Sequence, residues 1–319
     1  VAASLCHHIG LIVTLTVNPA IDRTITVDRL AFEDRAYILS THDTPGGRGI
    51  NASSVIHAFG GQTRAILPAG GNSGKHFQLS IEKFGFPMTV VPIRSEVRTN
   101  LTITDRQGLT VKLNERGHPM SQTEVSAIEK TVRQNLSGMH WLMLCGSLPP
   151  GVPSTFYAKL IRAAHKEGVK TLLDTEGEAL QAGIQAKPTV VSPNQEEAER
   201  LLDTALITRS HTLEAVERIR AMGARSVLLS LGSRGAIGFF QGAILEAVPP
   251  HVDVRCPIGA GDAMCAAFLW ALENNEPHQS ALRWGVAAGT ASAMQPGMKF
   301  ADLAQTREMY GRIAVHSVE

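Results

Sequence analysis

The sequence predicts an α/β chain, with a central, mainly parallel sheet flanked by helices and a small β-sheet standing off it as a lid. Three observations predict this. From Ser121 onward, short apolar runs alternate with helix-patterned stretches, as in a parallel sheet covered on both faces. Glycine-rich turns lead into some of the helices. Two stretches, residues 23–44 and 98–115, are polar, β-patterned and without helical periodicity. The expectation is a single domain over residues 1–319, with those two stretches forming its lid.

The elements follow in order. Residues 11–17 read as a buried strand that Asn18-Pro19 breaks. Residues 49–59 read as a helix opened by a glycine-rich turn, 63–69 as a strand and 74–84 as a helix. Short β-rich pieces follow at 88–93, 101–104 and 109–113, the last two joined by the turn Asp105-Arg106-Gln107-Gly108. The alternation then runs helix 122–136, strand 140–145, helix 154–165, strand 170–174, strand 189–192, helix 195–202, helix 213–222 and strand 226–231. A ribbon at 236–240 and 243–248 precedes helices at 262–273, 278–294 and 301–310.

Composition narrows the function classes. Of the 319 residues 44% are hydrophobic, enough for a sizeable core, and the formal net charge of +1 offers no nucleic-acid-binding surface. The four cysteines, Cys6, Cys145, Cys256 and Cys265, show no C-x-x-C spacing, which suggests a reduced, cytoplasmic chain. No apolar run reaches the roughly 18 residues of a membrane span. The apolar start, residues 9–17, lacks a basic leader and alternates like a strand rather than a signal peptide. The twelve histidines form no metal-ligand spacing. A phosphate-binding P-loop would need Gly at 69 and Ser or Thr at 76, where the chain has Ala69 and His76.

Four motifs carry chemistry. Gly259-Ala260-Gly261-Asp262 precedes an apolar helix. Small residues at a helix N-terminus let backbone N–H groups approach an anion, and the aspartate is suited to take a proton from an attacking hydroxyl. Plain N-capping by Asp262 explains the same residues. Gly46-Gly47-Arg48-Gly49-Ile50-Asn51 adds a positive charge to a turn that permits close ligand approach, or is a flexible β–α turn. Asn194 and Glu197 have capping-box spacing, and also suit a hydrated Mg²⁺. Ser230-Leu231-Gly232-Ser233-Arg234-Gly235 ends a strand, where a nucleotide can lie or a simple turn suffices.

Taken together and in this order, these motifs resemble the ribokinase-like (pfkB-type) carbohydrate kinase family over about residues 12–310. The opening Thr14-Leu15-Thr16-Val17-Asn18-Pro19-Ala20-Ile21-Asp22 resembles the phosphofructokinase branch in particular. So do the Gly46–Asn51 motif, Arg98-Thr99-Asn100-Leu101, Cys145-Gly146-Ser147-Leu148-Pro149-Pro150-Gly151 and Gly285-Val286-Ala287-Ala288-Gly289. That branch includes 1-phosphofructokinase, a minor bacterial 6-phosphofructokinase and tagatose-6-phosphate kinase. The resemblance implies ATP and Mg²⁺, and roles for matching residues. Asp262 is the implied base, with Gly259, Ala260 and Gly261 as the anion hole. Asp22, Gly46, Gly47 and Asn51 are implied to bind the sugar, with Arg98 and Ser147 near the sugar or its phosphate. Asn194 and Glu197 are implied to be linked to Mg²⁺, and Ser230, Gly232 and Gly235 to ATP. Arg35 matches a lid position that in some relatives reaches a neighbouring subunit's site, and a homodimer through the lid is implied with it.

Two positions depart from the family. Pro257 stands where relatives have Thr, and removes a backbone donor. Arg48 replaces a frequent Lys, exchanging a point charge for a planar fork. The reaction expected is phosphoryl transfer from ATP to fructose 6-phosphate or fructose 1-phosphate, with Arg48 and Arg98 holding the phosphate already present. The alternatives are a tagatose-6-phosphate kinase, a kinase for an unphosphorylated sugar or nucleoside, or a non-catalytic sugar-phosphate-binding protein.

Overall fold

The computed structural model describes residues 10–31 and 33–318. The apolar run Leu11–Thr16 forms β1, and Pro19 ends it only briefly: Ala20–Val27 (β2) and Ile38–Gly46 (β3) leave at once for a second sheet. Arg48–Ala58 (α1), Thr63–Gly70 (β4), Gly71–Glu82 (α2) and Met88–Ile93 (β5) return to the main sheet. Arg98–Asp105 (β6) and Thr110–Asn114 (β7) leave it again.

The regular alternation then follows. It runs through Gln122–Gln134 (α3), Met139–Cys145 (β8), Phe156–Lys166 (α4), Lys170–Asp174 (β9), Gly177–Gln185 (α5), Val190–Val191 (β10), Gln195–Leu202 (α6), Arg209–Ala221 (α7) and Ser226–Ser230 (β11). The ribbon Ala236–Phe240 (β12) and Ala243–Val248 (β13) leads to Ala260–Glu273 (α8), His278–Ala293 (α9), Leu303–Tyr310 (α10) and Ala314–Val318 (β14).

The main sheet has the order β14-β13-β12-β11-β10-β9-β8-β1-β4-β5. It is parallel from β5 to β11, and antiparallel across β12, β13 and β14. Side-chain alternation explains why both faces are covered. On β8, Leu142 and Leu144 pack into the core cluster that includes residues of α3 to α7. Trp141, Met143 and Cys145 pack on the other side, with α1, α8, α9 and α10. The central strands therefore read as apolar runs.

The second sheet has the order β3-β2-β6-β7 and corresponds to the polar stretches 23–44 and 98–115. Its period of two gives it two unlike faces. Asp22, Asn100 and Asn114 are aligned across β2, β6 and β7, as are Thr102 and Lys112 on the same face. Leu101, Ile103, Val111 and Leu113 occupy the reverse face.

Several local expectations differ, among them the starts of α2, at Gly71 rather than 74, and of α7, at Arg209 rather than 213. Helix α5 was not anticipated: its apolar positions Ala179, Leu180 and Ile184 have helical spacing, but two glycines in nine residues obscure it. The edge strand β14 was also missed, because an exposed edge carries little apolar pattern. Helix α8 starts at Ala260, not at Asp262. Cys6 and the beginning of the apolar start lie outside the described residues.

Candidate active site

The strands of an α/β sheet present ligand sites at their carboxyl ends. Here a cavity of about 880 Å³ opens between that end of the sheet and the polar face of the lid. Asp22, Gly47, Arg48, Asn51, Arg98, Ser147, Gly259 and Asp262 all line it, so residues far apart in sequence converge as expected. Gly46, Ala260 and Gly261 adjoin these. Asn194, Glu197, Ser230, Gly232, Gly235 and Arg35 do not line it.

Helix α8 fixes the floor. Its N-cap is Gly259, at φ +80, a left-handed conformation that glycine adopts readily. The expectation that Asp262 caps this helix is corrected: Asp262 lies in the first turn and makes no cap bond. Instead its carboxylate accepts a hydrogen bond from Asn51 Nδ2 at 2.8 Å, joining α8 to α1. Asp262 is 8% exposed. Burial pushes its carboxyl up to about 7, with the charge of Asp174 adding and Arg48 and Asn51 opposing. The Ala260 N–H turns back onto the Pro257 carbonyl at 3.2 Å. The amides of Gly259, Gly261 and Asp262 have no backbone acceptor and stay available to an anion.

Arg48 is placed differently from expectation. Its Nη1 donates to Asp174 Oδ1 at 2.6 Å, and its Nη2 to Glu197 Oε1 at 2.8 Å. Both carboxylates are buried. Arg48 therefore balances protein charge at the base of the cavity rather than standing free to clamp a sugar's phosphate. Asp174, foremost, holds its guanidinium well above the usual arginine range. Sequence reasoning missed Asp174, although an acid ending the buried strand β9 was a usable signal.

On the lid side, Asp22 Oδ1 accepts from Asn100 Nδ2 at 2.8 Å, a partner also missed. Burial raises the Asp22 carboxyl, while that hydrogen bond and Arg98 pull it down. A Cβ at Gly46 would stand 1.8 Å from Asp22 Oδ2, so a larger residue there would displace the Asp22 carboxylate. Arg98 donates to the backbone carbonyls of Glu115 (2.5 Å) and Asn18 (3.1 Å), which ties the lid to the turn after β1. Asn18 Nδ2 donates to Ser147 Oγ at 3.2 Å, and so orients it.

The Asn194–Glu197 and Ser230–Gly235 motifs form a neighbouring group. Asn194 and Glu197 make a reciprocal capping box on α6, with both bonds at 2.9 Å. Asn194 bridges to Ser230 at the end of β11, where residues 232–234 form a short 3-10 turn closed by Gly235. Burial raises the Glu197 carboxyl and Arg48 opposes this. One Glu197 oxygen is held by Arg48 and the other by the Asn194 amide, so a metal ion nearby would meet Glu197 through water. Among the described residues no group of three or more His, Cys, Asp or Glu could hold a metal directly. Arg35 is exposed in the connection between β2 and β3.

A family profile described as pfkB family carbohydrate kinase matches residues 13–304. The chain belongs to this family. It is 31% identical over 306 residues to the ATP-dependent 6-phosphofructokinase isozyme 2 of Escherichia coli, covering 95% of this chain and 99% of that protein. It is 27% identical to the 1-phosphofructokinase of Borreliella burgdorferi, covering 97% and 99%. The fold superposes on the Escherichia coli phosphofructokinase-2 crystal structure in complex with fructose-6-phosphate with a TM-score of 0.87, at 31% identity, covering 94% of this chain and 98% of that one. As a carbohydrate kinase of this family, the chain is an ATP-dependent sugar kinase.

Proposed function

We propose that this chain transfers the terminal phosphoryl group of ATP to a hydroxyl of fructose 6-phosphate or fructose 1-phosphate, giving fructose 1,6-bisphosphate. The observation that carries the reading is the buried Asp262 carboxylate, at the cavity floor beside the unpaired amides of Gly259 and Gly261. The names of the relatives support the choice of a ketohexose phosphate. In the transfer the sugar hydroxyl oxygen bonds to phosphorus, its proton passes to Asp262, and the bond from phosphorus to ADP breaks. The free amides would stabilise charge on the transferred group. Asp22 and Asn100 would orient sugar hydroxyls, with Asn51 holding Asp262 in place.

Mg²⁺ would sit on the ATP phosphates and neutralise their charge, with Asn194 and Glu197 reaching it through water. Ser230, Gly232 and Gly235 would border the nucleotide. Closure of the lid would exclude water and limit hydrolysis of ATP. The apolar reverse face of the lid supports a homodimer formed there: Val111 and Leu113 are exposed on it, and in the same sheet Ile38 at the start of β3, with Tyr37 just before it, is 63% exposed and Tyr37 64%. In such a pair Arg35 would be free to approach the partner's site. The free thiols Cys145, Cys256 and Cys265 suit a reducing cytoplasm. Among the described residues, no helix is long and apolar enough to cross a membrane.

A coupled ADP-release assay tests the reading on fructose 6-phosphate, fructose 1-phosphate, tagatose 6-phosphate, fructose, ribose and adenosine. The fructose phosphates are expected to give the highest kcat/KM. Turnover confined to ribose or adenosine would overturn the substrate class. No turnover on any member, with tight sugar-phosphate binding by calorimetry, would instead indicate a binding protein.

A further inference from the structure

The chain leaves β8 at Gly146, and the end of β9 holds that glycine on both sides. Its N–H donates to the Asp174 carbonyl at 2.7 Å. Its own carbonyl accepts from the Thr175 hydroxyl at 2.8 Å, and the Tyr157 hydroxyl stands 3.1 Å from the same oxygen. Tyr157 Oη also lies 2.9 Å from the Cys145 carbonyl, so one side chain of α4 grips two successive peptide units. Tyr157 and Thr175 are fully buried. Burial raises the Tyr157 hydroxyl well above the usual phenol range, which keeps it protonated and able to donate. One hydrogen bond satisfies a buried carbonyl; Gly146 has two hydroxyls on it.

The direction of that carbonyl fixes the next amide. The Gly146–Ser147 peptide is trans, so its N–H points opposite to its carbonyl. The carbonyl faces Tyr157 and Thr175 in the interior, and the Ser147 N–H faces away from them. Gly146 and Ser147 both line the cavity, while Tyr157 and Thr175 do not. A φ of +81 at Gly146, open to glycine at little cost, makes this turn out of the strand. Among the described residues, no backbone or side-chain acceptor engages the Ser147 N–H. Its side chain is fixed separately, through the Asn18 bond to Oγ. The two residues that follow Leu148 are prolines and have no N–H to offer.

We infer that Tyr157 and Thr175 are positioning residues: through the Gly146 carbonyl they aim the Ser147 N–H into the cavity, where it donates to an oxygen of the bound sugar phosphate. The inference rests on the proposed function for the identity of that ligand. Neither residue touches the substrate, and the effect of both is carried by the orientation of one peptide plane. Without the two hydroxyls that plane is free to turn. A turned peptide replaces a donor by a carbonyl oxygen, which repels the oxygens of a sugar phosphate.

The test uses the full chain carrying Thr175→Val, Tyr157→Phe or both, with Thr175→Ser as the variant that keeps the hydroxyl. Calorimetry reads the Kd of fructose 6-phosphate, fructose 1-phosphate and ATP, steady-state kinetics reads the KM values, and thermal melting checks each fold. Each single change is expected to raise Kd and KM for the preferred sugar phosphate about threefold, and the pair about tenfold, the range of one lost hydrogen bond. The values for ATP stay within about twofold, and Thr175→Ser stays within about twofold of wild type throughout. A folded double variant whose sugar-phosphate Kd lies within about twofold of wild type would overturn the inference, as would equal losses toward sugar phosphate and ATP. If the double variant does not fold, Tyr157→Phe decides, since it removes one oxygen and keeps the ring: a threefold weaker Kd supports the inference, and an unchanged one overturns it. These results leave the proposed function standing. A wild-type chain that binds a ketohexose phosphate but never turns it over would overturn the proposed function alone, because calorimetry still decides the inference. A wild-type chain that binds none would overturn both.

Discussion

Arg48 is held by two buried carboxylates from different elements, Asp174 on β9 and Glu197 on α6. Removing one partner of such a group leaves uncompensated charge in a poorly solvated place. Arg48→Met is therefore predicted to cost about 3–5 kcal/mol in stability, read by urea unfolding. A change below about 1 kcal/mol would mean that the carboxylates find water instead. Asp262 gives a pH signature. As a base it must be ionised, so kcat/KM should rise with pH and level off above about 7, the value to which burial raises this carboxyl. The same shift has a stability consequence. The unfolded carboxyl has a pKa of about 3.9, so between that value and the folded one the folded chain holds the extra proton. Its contribution to stability is complete at low pH and is lost as pH rises through the folded value. Asp262→Asn should accordingly melt at a higher temperature than wild type at pH 8, and close to wild type at pH 4. Equal melting temperatures at pH 8 would contradict the raised carboxyl.

At the scale of elements, much of the site was legible because its motifs stand at strand ends and helix starts, where spacing and chemistry are tied together. The Gly259–Asp262 motif announced a helix start, but not whether Asp262 caps it. That depends on the left-handed Gly259, which takes the cap position and leaves the carboxylate for Asn51, a residue 211 positions away. Asn194 and Glu197 were legible as a capping box and are one. The link from Glu197 to Arg48 was not legible, since nothing local to either residue announces the other. The lid was visible as polar β-pattern, yet Asn100 was given no role because its importance comes from cross-strand register with Asp22. The lid's two faces also predict an assembly phenotype. Leu113→Asp on the apolar face should shift the chain toward monomer in analytical ultracentrifugation, while an unchanged sedimentation coefficient would place any interface elsewhere.

For the whole molecule, the alternation of strands and helices predicted the parallel sheet, and the position of the cavity follows from it. The binding half built by β2, β6 and β7 and the reacting half built by α1 and α8 are separate structures, joined at Arg98 and at the turn after β1. Catalysis in this account needs both: one sheet closes over the sugar, and the other carries the base. The central claim, that Asp262 takes the proton during phosphoryl transfer, is tested most directly by the turnover of Asp262→Asn on the preferred sugar phosphate, with ATP affinity measured alongside. The account predicts a fall in kcat of at least about a hundredfold with the ATP dissociation constant within about twofold of wild type. Turnover above about a tenth of wild type would contradict it, because general-base catalysis contributes more than that.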